Sequence, residues 1–185
     1  WRDGGWTPEL VAEHFDTVEV NSSFYRMPEP AQTAGWVRRT PAGFLFAVKL
    51  FQKFTHPDMY LAREGARDWD VSRADFDLFR AGLAPLADAG RLAAVLAQFP
   101  ASFHAAADTR GYLEWLLGGL AAYPVAVELR HRSWSDDAAA TRRLLDERGA
   151  AWVLIDEPKF PSSIRQASDA TLAGRAPLAY VRLHG

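Results

Sequence analysis

Apolar residues fall in six short runs, each bounded by polar, Gly or Pro residues: 17–25, 44–50, 92–100, 124–131, 151–158 and 178–185. Val, Ile, Phe and Tyr are common in them, and such side chains suit extended backbone. Between most of the runs the period lengthens to that of a helix. Over 72–89, Phe76, Phe79, Leu83 and Leu86 recur at spacings of three and four, which puts them on one face. Ser72 stands where an N-cap belongs, with Asp75 three residues on; Pro85 is expected to bend this helix or end it early. Over 108–121, Leu113, Leu116, Leu117 and Leu120 stack in the same way. A helix over 136–148 would stop at Gly149, a C′ glycine. Thr7-Pro8-Glu9 offers a cap followed by proline at the first helical position. Residues 51–71 are long and polar, contain His56-Pro57-Asp58, and read as a large loop able to act as a lid.

Strands alternating with helices predict a parallel sheet with right-handed crossovers. Side chains alternate sides along a strand, and the alternation separates the chemistry. Val18 and Val20 oppose Glu19, Asn21 and Ser23; Phe44, Phe46 and Val48 oppose Lys49; Val95, Ala97 and Phe99 oppose Gln98. Val125, Val127 and Leu129 oppose Glu128 and Arg130; Val153 and Ile155 oppose Asp156; Val181 and Leu183 oppose Tyr180, Arg182 and His184. The polar parity needs a shared interior, whereas strands of an open, doubly covered sheet are apolar on both sides. The charges also fall late in each strand, where barrel enzymes hold their active sites. The expected fold is therefore α/β, a TIM-type (β/α)8 barrel in one domain over 1–185. An eight-stranded barrel takes ~250 residues, so this length is expected to lack roughly the first and last strands. The Gly4-Gly5-Trp6 segment would then be the mouth loop after the first of these.

Composition narrows the chemistry. The chain has 185 residues, 49% hydrophobic and 24% charged, with a net charge of −2, which gives no overall pull towards nucleic acid or anionic lipid. There are no cysteines, so disulfides, thiolate metal sites and a cysteine nucleophile are excluded. No apolar run approaches the ~20 residues of a membrane helix, and a cytoplasmic location is expected. No Walker signature, no GxGxxG and no Gly-x-Ser-x-Gly elbow is present, so no nucleotide cofactor is expected.

The motifs Val18-Glu19-Val20-Asn21-Ser22-Ser23-Phe24-Tyr25-Arg26, Phe46-Ala47-Val48-Lys49, Gln98-Phe99-Pro100, Val127-Glu128-Leu129-Arg130-His131 with Ser133-Trp134, and Tyr180-Val181-Arg182-Leu183-His184-Gly185 resemble the YecE-like family, domain-of-unknown-function family 72. The resemblance runs over essentially the whole chain. It implies a TIM-type barrel, usually bacterial or archaeal and cytosolic, and it supplies no reaction.

Glu19, Glu128 and Asp156, with His184 close by, are expected at one mouth, where such groups act as general acid and base or hold a divalent metal. The blander alternative is a salt-bridge network, because Lys49, Arg130 and Arg182 balance the three carboxylates. Those cations could instead receive a substrate phosphate or carboxylate. Lys49 could form a Schiff base if burial lowers its pKa, although acidic neighbours would work against that. Asn21, Tyr25 and Gln98 suit a hydroxyl-rich ligand, and Trp134 and Trp6 could wall the mouth, against the plainer role of loop or core anchors. His131 and the loop residue His56 are weaker candidates. The leading expectation is an enzyme on a small polar or anionic, sugar- or phosphate-like molecule, with hydrolase, lyase and isomerase open. The alternatives are a nucleic-acid-processing or nucleic-acid-binding protein and a non-catalytic ligand-binding barrel. The sequence leaves the presence of a metal and the oligomeric state open.

Overall fold

The structure is a computed structural model that describes residues 7–65, 67–158, 160–165 and 174–184. Trp6 and its preceding glycines lie outside the described residues.

The short helix α1 (Pro8–Ala12) begins as its sequence requires: Thr7 Oγ1 accepts from the Leu10 amide at 3.3 Å, and Pro8 follows the cap. Then come β1 (Thr17–Val20), the turn-long α2 (Ser22–Tyr25), α3 (Pro30–Arg39) and β2 (Leu45–Lys49). A 3₁₀ turn at Gln52–Phe54 leads into α4 (Pro57–Glu64), α5 (Arg73–Asp88), β3 (Leu92–Gln98), α6 (Ala107–Gly119) and β4 (Val125–Glu128). The chain continues as α7 (Ser133–Asp136), α8 (Ala138–Glu147), β5 (Ala151–Trp152), β6 (Leu154–Asp156) and β7 (Val181–Leu183). Residues 51–71 are thus partly helical, because Pro57 occupies the first helical position of α4, where its missing amide costs nothing. Asn21 to Tyr25 leave the strand conformation for α2, so the first strand is shorter than its apolar run.

Strands β1 to β5 form one parallel sheet in sequential order, and β6 pairs with β7 in parallel. Only Val153 separates β5 from β6. Its amide donates to Val127 O at 2.9 Å, and the next amide, of Leu154, donates to Tyr180 O at 2.9 Å. The segment therefore changes partner midway, from β4 to the last strand. The described residues form no closed barrel: β1 and β7 share no backbone pairing. The sheet curls nonetheless, because residues 178–181 and the inward side chains of β1, β2 and β3 line a single cavity of about 360 Å³ that includes Glu19 and Tyr180.

Helices cover the apolar parity of β2, β3 and β4, whereas Val181 and Leu183 of β7 are exposed. Phe46, Val48, Val95, Ala97 and Val127 are fully buried, as are Phe79, Leu83, Leu86, Leu113 and Leu116 from α5 and α6. Each of these side chains larger than alanine contributes roughly 1.5–3 kcal/mol. The capping box of α5 forms, with the Ser72 amide donating to Asp75 Oδ2 at 2.7 Å. Pro85 does not end that helix, which runs to Asp88. One backbone bond is lost in the last turn, and the fully buried Leu83 and Leu86 on either side hold the turn in place. Gly149, at φ +63°, closes α8.

Candidate functional site

The C-terminal ends of β1, β4 and β7 bring their polar parity together. Arg182, from the middle of β7, is the hub. Its Nε donates to Glu19 Oε2 at 3.0 Å and its Nη2 to Glu19 Oε1 at 2.8 Å, a two-pronged pairing that suits a planar guanidinium. Its Nη1 donates to Glu128 Oε2 and reaches Gln98 Oε1 at 3.4 Å. Glu128 is fully buried and receives a second cation, Arg130, whose Nε donates to its Oε1 at 2.9 Å. A buried carboxylate survives only when paired and hydrogen-bonded, and Glu128 has both. Tyr180 Oη donates to Glu19 Oε2 at 2.8 Å, and Asn21 Nδ2 donates to Oε1 at 3.1 Å. Glu19 is therefore ringed by donors. Burial pushes its carboxyl up, but the hydrogen bonds from Arg182 and Tyr180 outweigh that and hold it below the ordinary range. Burial and the Glu19 charge raise the Tyr180 phenol, so Tyr180 remains a donor.

His184 completes the cluster. Its Nε2 lies 3.4 Å from Arg130 Nη2, 3.4 Å from Arg182 Nη1 and 3.6 Å from Glu128 Oε1. Guanidinium groups only donate and a carboxylate only accepts, so the tautomer of the ring decides which of these neighbours this nitrogen bonds. Beside it a cavity of about 260 Å³ is lined by Arg130, His184, Glu157, Phe160 and Ser162. A different cavity, of about 380 Å³ and lined by Glu9, Val18, Trp36, Arg39 and Phe46, lies on the helix side of the sheet, away from these charges.

Lys49 differs from its neighbours. Among the described residues it has no ion pair within 4 Å, because both glutamates are taken by arginines. Its Nζ sits 4.4 Å from the Phe24 ring centroid. Burial first, and the Arg182 charge second, lower its amine below the usual value, against the pull of Glu19 and Glu128. Phe24 also touches a residue that the sequence pattern made a weak candidate. The His56 ring meets Phe24 edge to face at 4.9 Å, and its Nδ1 is 2.8 Å from Thr55 Oγ1. Burial, then the charges of Lys49 and Arg130, push its pKa down to about 4, so His56 is neutral at pH 7.

Other expectations are corrected. Asp156 is exposed and has no ion pair among the described residues; Glu157, the next residue, turns in instead and lies 3.5 Å from Arg130 Nη2. In β6 the register sets Ile155 beside Arg182 and Asp156 beside the exposed Leu183, so Asp156 faces away from the cluster. Trp134 does not wall the mouth. It is fully buried, stacks on Phe103 at 5.4 Å and donates from Nε1 to Phe103 O at 2.8 Å. Tyr25, at 57% exposed, projects from the end of α2 and touches Phe24 edge to face; among the described residues no hydrogen bond ties its hydroxyl to the cluster. His131 is occupied by Ser133 Oγ at 2.9 Å and by the His104 ring. Among the described residues no three His, Cys, Asp or Glu side chains converge as a metal site, and no helix is long and apolar enough to cross a membrane. Glu157, Tyr180 and His56 are the contributors that sequence reasoning missed or undervalued; Tyr180 alone carried a signal, through its parity with Arg182.

The family described as "Protein of unknown function DUF72" matches residues 9–185. The chain belongs to this family. The UPF0759 protein YunF of Bacillus subtilis (strain 168) is 30% identical over 180 residues, covering 96% of this chain and 61% of the relative, so the chain spans under two thirds of that protein's length. A DUF72 family protein from Enterococcus faecalis V583 superposes with a TM-score of 0.83 at 24% identity, over 97% of this chain and 69% of the other. A DUF72 family protein from Thermotoga maritima MSB8 gives a TM-score of 0.73 at 34% identity, over 92% and 60%. These matches support the α/β fold with its parallel sheet and name no reaction.

Proposed function

We propose that this DUF72 chain forms the greater part of an eight-stranded barrel enzyme that acts on a small polar or anionic molecule by acid–base chemistry at the strand ends. The observation that carries the reading is the convergence on Arg182 of Glu19 from β1, Gln98 from β3 and Glu128 from β4, beside a half-buried His184. A structural network alone would leave no unpaired ionisable group and no space. Here Lys49 has no ion pair among the described residues, the ring nitrogen of His184 faces the guanidiniums, and a cavity opens beside His184 and Arg130. In this scheme Arg182 is the scaffold that fixes both glutamates rather than a substrate ligand. His184, with Glu128 beside it, exchanges protons with the substrate, and Arg130 meets its negative charge. Preorganised charges of this kind stabilise a transition state without reorganising during the reaction.

The test is incubation of the protein with a small-molecule cell extract, followed by untargeted mass spectrometry. At least one polar or anionic compound should be consumed, and its loss should slow by ~10²-fold or more in both Glu128→Gln and His184→Gln. His184 lies at the surface of the cluster, so its variant should fold even if the Glu128 variant does not. No compound consumed, or full turnover by a folded His184→Gln protein, would overturn the proposal.

A further inference from the structure

We propose that Lys49 is the amine on which a small carbonyl compound bearing an anionic group condenses as an imine. This rests on the reading of the strand-end cluster as an active site and names its substrate class.

The geometry carries the argument. An amine adds to a carbonyl only through its free lone pair, so a lysine held by a carboxylate is a poor candidate. The sequence placed Glu19 and Glu128 in the same mouth as Lys49, which argued against such chemistry. In the structure both carboxylates are bound by Arg182, and Glu128 by Arg130 as well. The half-buried Nζ lies over the Phe24 ring, and burial and the Arg182 charge outweigh the pull of the arginine-bound Glu19 and Glu128. That environment disfavours the ammonium. His56, neutral and packed against the same ring, adds no charge that would favour it.

Residue usage supports the same reading. The chain contains 18 arginines and three lysines: Lys49, Lys53 and Lys159. Lys53 is tied to Asp75 at 2.8 Å, and Lys159 lies outside the described residues. Where only charge is needed, this chain uses arginine; at position 49 it places the one cationic side chain that can lose its proton and attack. Arg130 has no partner for Nη1 among the described residues, and that group is available to a carboxylate or phosphate on the incoming carbonyl compound.

In the step itself, Nζ bonds to the carbonyl carbon and the π pair moves to oxygen. The carbon–oxygen bond then breaks, and the oxygen leaves as water with the two amine protons. No oxidant or reductant is consumed. Deprotonation of the carbon next to the resulting imine is then open to the bases of the cluster.

The experiment traps the adduct. The whole protein is incubated with glyoxylate and sodium cyanoborohydride, and reduced adducts are located by peptide mass spectrometry. Labelling at Lys49 should exceed that at Lys53 by about tenfold or more, well within the ~10²-fold that positioned proton transfer contributes. The preference should vanish in urea, and glycolaldehyde, which lacks the charge, should label Lys49 at least about tenfold less. Equal labelling of Lys49 and Lys53 in the folded protein would overturn the imine, and equal labelling by both aldehydes would overturn the anionic requirement. The two proposals fail separately. Turnover in the extract that survives Lys49→Arg at full rate removes the imine alone, whereas selective labelling of Lys49 without any turnover removes the acid–base enzyme alone.

Discussion

His56 reports directly on the electrostatics of the mouth. In the unfolded chain an imidazole takes up its proton near pH 6.5, whereas burial and the charges of Lys49 and Arg130 hold the folded value down to about 4. Between those pH values the unfolded state binds a proton that the native state does not, so stability falls as pH falls. The contribution is fully present above 6.5 and fully lost near 4. Each pH unit is worth up to about 1.4 kcal/mol, which bounds the loss at about 3 kcal/mol. The ring is partly exposed and solvent screens it, so about 1.5 kcal/mol is the expected figure. His56→Gln removes the titration and keeps a group that can bond to Thr55. Urea unfolding of the two proteins, followed by tryptophan fluorescence between about pH 7 and about pH 4.5, cancels every other titrating group to first order. The wild-type protein should lose about 1.5 kcal/mol more than the variant over this range, and the His56 ring resonance should titrate near 4. A difference that stays flat with pH, or a ring that titrates at its ordinary value, would show that His56 is not buried beside Lys49 and Arg130.

Two glycines should respond to alanine with opposite sign. A Cβ on Gly82 of α5 would lie 2.1 Å from the Pro28 carbonyl oxygen, a backbone atom that cannot swing aside, so Gly82→Ala should cost about 1–3 kcal/mol in chemical denaturation despite the better helix propensity. A Cβ on Gly111 of α6 meets nothing within 4 Å, so Gly111→Ala should gain roughly 0.5–1 kcal/mol in the same assay.

The separation of polar from apolar parity was legible because each strand pays for a misplaced charge at once, and Glu19, Lys49, Glu128, Arg130, Arg182 and His184 could be read as one set on that ground. Helix α3 was not legible. Its buried residues are Thr33, Gly35 and Trp36, because it packs closely against α5, with Thr33 Oγ1 donating to Gly82 O at 2.7 Å. A face chosen for close approach shows no hydrophobic stripe. Asp156 went astray because β6 pairs with β7 in a register that sets Ile155, not Asp156, beside Arg182, and Trp134 because it lies in α7, where strand alternation no longer decides which way a side chain points. His56 was misjudged because its place depends on how the 52–56 turn docks on Phe24, a contact between positions 32 residues apart. Nor did charge counting reveal that Arg182 would take both glutamates and leave Lys49 alone.

The convergence of the strand ends rests most on the bond between Glu19 of β1 and Arg182 of β7, 163 residues apart in sequence. A double-mutant cycle on stability with Glu19→Gln and Arg182→Met measures it. Two charge-assisted hydrogen bonds in a partly buried setting predict a coupling of about 2 kcal/mol. A coupling within roughly 0.5 kcal/mol of zero, as between independent sites, would mean that the first and last strands do not meet across a common mouth.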